Sequence, residues 1–164
     1  MQKLLFLALV CVGMMMFGCI STPNVTEAGD GAQNASEVNP FTAKEGLSDA
    51  TTAMHALWGD GYLVSVYSNC DGNGRAMEWQ YSFDSPARKK GYVVAVPGDG
   101  MIRDKPFSFS NGLKDQWVDS NAAVTACGKS GECSLEITDG KPIWTIVSGT
   151  EICEVDALNG KVLG

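Results

Sequence analysis

One histidine and six cysteines, set among nineteen acidic residues, bound the chemistry open to this chain. Nucleophilic hydrolysis by a Ser-His-Asp or Cys-His arrangement needs a histidine as base. His55 is the sole candidate, and it lies beside an apolar helical stripe. A packed or partly exposed helix histidine is the expected role there. No Cys or His pair has zinc-ligand spacing. Asp71-Gly72-Asn73-Gly74 resembles the opening of a calcium loop, but no Glu closes it, so it reads as a hairpin turn. Glu136 with Asp139, and Glu151 with Glu154, fit solvated strands and turns. These residues predict a protein that is not an enzyme and that carries no metal and no cofactor.

The cysteine with a chemical context is Cys19. Lys3 supplies one positive charge, and Leu4 to Phe17 then runs without a charge or a proline. That is the pattern of a secretory signal. The run is short for a spanning helix, which needs about 20 apolar residues. Gly18-Cys19 closes it, and polar Ser21, Thr22, Pro23 and Asn24 follow. This ending resembles the lipobox of prokaryotic lipoproteins, with Met16 and Phe17 where a Leu and a small residue are usual. The resemblance implies a cleaved leader over residues 1–18 and lipidation of Cys19, palmitate included. It places the protein at the cell membrane, lipid-anchored and facing outside the cytoplasm. An uncleaved anchor, or an ordinary secretory signal with Cys19 as a plain thiol, gives the same side of the membrane.

Residues 19–40 read as a flexible tether. Ser, Thr, Asn, Ala, Glu and Gly dominate it, and only Ile20 and Val25 are large and apolar until Val38. Such a segment buries too little surface to offset its ordering entropy. Two sequons, at Asn24 and Asn34, offer candidate glycosylation sites. Without the leader the chain keeps eleven basic and nineteen acidic residues, a formal charge of −8. Arg88-Lys89-Lys90 is the one basic run, so nucleic acid is an unsuitable partner.

The folded part is expected from residue 41 to 164. Thr42 and Glu45 have capping-box spacing, and Leu47, Ala50 or Thr51, Met54, Leu57 and Trp58 recur at helical intervals. Gly59-Asp60-Gly61 stops that helix. Strands are expected at Tyr62–Tyr67, Ala76–Phe83 and Tyr92–Val96, with a short piece at Met101-Ile102. Met77, Trp79, Tyr81 and Phe83 alternate onto one face of the second. A second helix is expected over Leu113 to Cys127, capped by Ser110 or Asn111 and ended by Gly128. Strands follow at Cys133–Thr138, Ile143–Val147 and Glu151–Val155, then Lys161-Val162-Leu163 after an Asn-Gly turn. Helix-strand-strand-strand occurring twice, over about 41–105 and 110–164, predicts an α+β domain of two tandem repeats with helices packed on antiparallel sheet.

Pro142-Ile143-Trp144-Thr145-Ile146, followed by Glu154-Val155-Asp156-Ala157-Leu158-Asn159-Gly160-Lys161-Val162-Leu163, resembles the end of a PepSY-type domain. The likeness covers about Leu113 to Leu163, and the first half resembles it more weakly. Paired copies look like beta-lactamase-inhibitor-type tandem repeats. The resemblance implies a helix on a small antiparallel sheet. It also implies a non-catalytic module that binds or restrains an exported protein, a protease among the possible partners.

Cys70, Cys127, Cys133 and Cys153 remain as disulfide candidates, an even number in a disulfide-permissive compartment. Cys133 and Cys153 fall on strands with one strand between them, roughly 10 Å apart. That exceeds disulfide reach. A short Gly-rich loop favours Cys127–Cys133, which leaves Cys70–Cys153. Free buried thiols are the alternative in a reducing compartment. Two function classes stay open: a protein-binding or peptidase-inhibitory module, and a small-ligand or polymer binder using Trp58, Trp79, Trp117 and Trp144.

Overall fold

The computed structural model describes residues 39–107 and 112–164. Its first helix, α1 (Ala43–Leu57), begins as the local chemistry requires. Thr42 has extended backbone and its hydroxyl accepts from the Glu45 N–H, while the Glu45 carboxylate accepts from the Thr42 N–H at 2.6 Å. Two otherwise orphaned donors are thereby satisfied. Ala43, Gly46, Ala50 and Met54 form the buried face. Trp58 caps the end, donating its backbone N–H to the Met54 carbonyl.

Four strands follow: β1 (Tyr62–Cys70), β2 (Trp79–Ser85), β3 (Lys90–Val96) and β4 (Gly100–Arg103). A second helix, α2 (Ser120–Cys127), precedes four more: β5 (Gly131–Thr138), β6 (Lys141–Ser148), β7 (Glu151–Asp156) and β8 (Lys161–Leu163). All eight belong to one antiparallel sheet, in the order β4-β3-β2-β1-β5-β6-β7-β8. This overturns the expectation of two tandem helix–strand–strand–strand repeats. The described chain is one continuous eight-stranded sheet with two helices. Met101-Ile102 belongs to a full strand, and Lys161-Val162-Leu163 pairs with β7 to close the other side.

The core lies on one face of this sheet. Val94, Tyr81, Val66, Leu135, Trp144 and Val155 are direct cross-strand partners in turn, so all point the same way, and each is buried. Both helices meet that face. Tyr81 donates its hydroxyl to the Ala43 carbonyl of α1 at 2.7 Å, and Trp144 donates its indole N–H to the Val118 carbonyl beside α2 at 2.8 Å. The helix N-termini also touch. Asp119, the N-cap of α2, accepts from the Lys44 N–H at 3.0 Å, and Ser120 accepts from the Ala43 N–H at 3.1 Å. Gly74, with φ +70°, lies so close that a Cβ there would sit 2.5 Å from the Asn121 backbone.

Helix α2 starts later than its apolar spacing predicts. Residues 113–119 are not helical, because tertiary bonds replace helical ones. The Leu113 N–H goes to the Leu63 carbonyl and the Val118 N–H to the Ala157 carbonyl. Leu113 and Trp117 reach the core one at a time from this irregular stretch. The N-cap is Asp119, in place of the expected Ser110 or Asn111, which lie outside the described residues. Gly128 ends the helix in the left-handed region, at φ 63°, as its position predicts. Met77 lies before β2, which starts at Trp79, and is exposed, so only Trp79, Tyr81 and Phe83 share the core face.

Candidate functional site: an open sheet face and two bare edges

Cys19, Asn24 and Asn34, with the leader over 1–18 and nearly all of the 19–40 tether, lie outside the described residues. The four remaining cysteines are bonded, but in the other pairing. Cys70 joins Cys133, and Cys127 joins Cys153, each with 6.0 Å between α-carbons. This corrects Cys127–Cys133 and Cys70–Cys153. The reason is register. On the paired strands β1 and β5, Cys70 lies opposite Gly131 and Cys133 opposite Ser68, so the two cysteines are diagonal neighbours on one face. The end of α2 sets Cys127 over β7, where Cys153 points to the same face.

The four tryptophans are buried: Trp58 at 4 %, Trp79 and Trp144 at 0 % and Trp117 at 2 % exposure. They are core and offer no stacking platform to a ligand. Trp144 sits between Trp79 and Trp117, edge-on to both, with centroids 6.1 and 5.9 Å away. His55 lies on the exposed side of α1. Asp71 turns its carboxylate onto its own turn, accepting from the Asn73 and Arg75 N–H groups at 2.8 and 2.9 Å. Among the described residues, no group of His, Cys, Asp and Glu is placed to hold a metal ion. Nor is any described helix long and apolar enough to cross a membrane.

What the fold presents is surface. Opposite the helices, Gln80, Tyr67, Ser134, Thr145 and Glu154 follow one another from strand to strand, half-buried or exposed. Eight strands make this face about 34 Å across. Among the described residues, no strand pairs with its two outer edges, and every residue of β4 and of β8 is exposed. Met101 and Ile102 stand out on β4 at 63 % and 49 %, and Val162 and Leu163 are exposed on β8. Sequence alternation could flag the polar face, but the edges depend on strand order.

Charge is distributed unevenly. The β2–β3 turn carries Arg88 and Lys89, both exposed, and Lys90 pairs with Asp104 at 3.5 Å. Arg103 and Lys105 follow on and after β4, with the Arg103 guanidinium 4.1 Å from the Phe107 ring centroid. Tertiary structure thus joins two basic stretches that sequence kept apart. Asp60 braces the turn. Its carboxylate accepts from the Ala87 N–H at 2.9 Å and from the Ser85 hydroxyl at 2.8 Å, and these bonds hold it below the ordinary carboxylate range.

No family model matches the chain, the PepSY type included. No curated protein matches it either. One solved structure, of a candidate lipoprotein from Clostridium difficile 630, is similar with a TM-score of 0.52 and 14 % identity. The likeness covers 72 % of this chain and 90 % of that one, and it is a likeness of fold.

Proposed function

We propose that this chain is an exported protein, lipid-anchored through Cys19, whose described domain binds another exported protein without catalysis. One observation carries the reading. Among the described residues, the sheet buries one face under both helices, while the middle of the other face is half-buried or exposed and every residue of the outer strands β4 and β8 is exposed. Backbone donors and acceptors along a bare edge, beside a broad polar face, are suited to an extended or flat protein partner. Three further points support the reading. The fold is similar to that of a candidate lipoprotein. The leader ends in Gly18-Cys19 with a polar stretch behind it. Both cysteine pairs are joined, which suits an oxidising compartment. The small-ligand reading loses its basis, because the tryptophans it relied on are interior.

The test is binding by the full chain in detergent micelles to purified exported proteins of the same cell, proteases included. Saturable binding, with or without inhibition, supports the module. Tight binding of a small ligand with no protein bound would replace it.

A further inference from the structure

Within that reading, we infer that the binding edge is β4, and that it takes an extended segment carrying an apolar residue and, at one end, acidic residues. The two edges are not equivalent. β8 has three residues and lies beside β7, which carries Glu151, Glu154 and Asp156. β4 has four, ends in Arg103 and leads into Lys105, with Lys89 and Lys90 on the neighbouring turn and strand.

A second observation points to the same edge. Ile102 is the cross-strand partner of Tyr92, on the helix side of the sheet. Helix α1 does not reach over it. Between them lies a hollow of about 340 Å³, lined by Ala53, Ala56, Leu57, Tyr92, Gly100 and Ile102. Gly100 contributes no side chain, and the Tyr92 ring lies across it. A ninth strand laid along β4 would set alternate side chains on the helix side, at this hollow. An apolar one there would cover Ile102 and Leu57, both now exposed. Farther along, toward the Arg103 end, the strand meets Arg103, Lys105 and Lys89, with Arg88 on the same turn; Asp104 pairs with Lys90, and Asp60 lies against the turn. Carboxylates at that end of the partner complement the basic groups. Main-chain bonds supply affinity, while the hollow and the basic end supply selection.

The experiment uses the full chain in micelles and two soluble peptides of about ten residues, one alternating Val and Glu, one alternating Val and Lys. Binding is read by fluorescence anisotropy. The Val/Glu peptide is expected to bind at least about tenfold tighter. The pair Arg103→Glu and Lys105→Glu should reverse that preference. Ala56→Trp, at an exposed helix position, fills the hollow and should weaken both peptides while leaving the circular dichroism spectrum unchanged. Equal binding of the two peptides, or a preference that survives the charge reversal, overturns the assignment to β4. So does an exported protein whose binding is unaffected by all three substitutions, though protein binding itself then stands. If neither peptide nor any exported protein binds, both readings fall.

Discussion

Trp79 and Trp144 make the same bond on opposite sides of the sheet centre. Each indole N–H donates at 2.8 Å to the carbonyl of the residue just before a helix N-cap, Phe41 before Thr42 and Val118 before Asp119. Both helices are thus pinned to the sheet at their first turn by a buried ring. Trp144→Phe removes the donor and leaves a gap where the larger ring was, and should cost about 2–3 kcal/mol. Because the rings touch, the double substitution with Trp79→Phe should differ from the sum of the two by at least about 0.5 kcal/mol. Urea unfolding of the four proteins of the cycle measures this. Strict additivity would mean that the rings anchor their helices independently.

The disulfides should behave unequally. In the chain-entropy account, a closed loop spanning 63 residues for Cys70–Cys133 is worth about 4.3 kcal/mol. The 26-residue span of Cys127–Cys153 is worth about 3.5 kcal/mol. Replacing each pair by alanines and following thermal unfolding should therefore rank Cys70–Cys133 as the costlier loss. Peptide mapping of unreduced protein should recover these two pairs, and Cys127–Cys133 among the fragments would contradict the fold.

Alkaline pH should unfold the domain partly through Tyr81. Burial raises its phenol far above the ordinary range, and the charges of Asp119 and Asp49 raise it further. The unfolded tyrosine ionises near pH 10. Folded Tyr81 keeps its proton there, so its contribution is complete below about pH 10 and is lost above it, by up to about 1.4 kcal/mol per pH unit. Tyr62 shifts the same way, through burial first and the Asp84 charge second. Tyr81→Phe should lower stability at neutral pH, since the bond to the Ala43 carbonyl goes, yet make it fall less steeply above pH 10. A slope equal to wild type would show that Tyr81 ionises freely.

The proposed lipid anchor predicts a simple fractionation result. Wild type should partition with membranes and Cys19→Ala should be released or misprocessed. Stable attachment needs two chains or a second signal. Lipid-free wild-type protein in the soluble fraction would end the lipoprotein reading.

What was legible in the sequence was local. The Thr42–Glu45 box, the Gly128 cap and the alternating strands are specified by residues within a few positions of one another, and the structure places them there. Long-range relations were not. The same apolar spacing that forms α1 fails over 113–119, because Leu63 and Ala157, distant in sequence, offer their carbonyls to that stretch. The cysteine pairing failed for a related reason. Strand spacing rules out Cys133–Cys153 but is silent on which strand lies on the other side of β5, and that strand is β1. The basic cluster needed the β3–β4 pairing before Arg103 and Lys105 could join Lys89 and Lys90.

The place of β1 beside β5 bears on the order in which the sheet can be completed along the chain. The first four strands can pair as soon as Arg103 is made, but the inner edge of β1 has no partner until Gly131 to Glu136 appear. Until then Cys70 is a thiol with its mate 63 residues behind it, at the edge of a half-built sheet. Such an edge invites pairing with a neighbouring nascent chain. The β1–β5 seam, closed by Cys70–Cys133, is thus the last join that makes one sheet of the two halves.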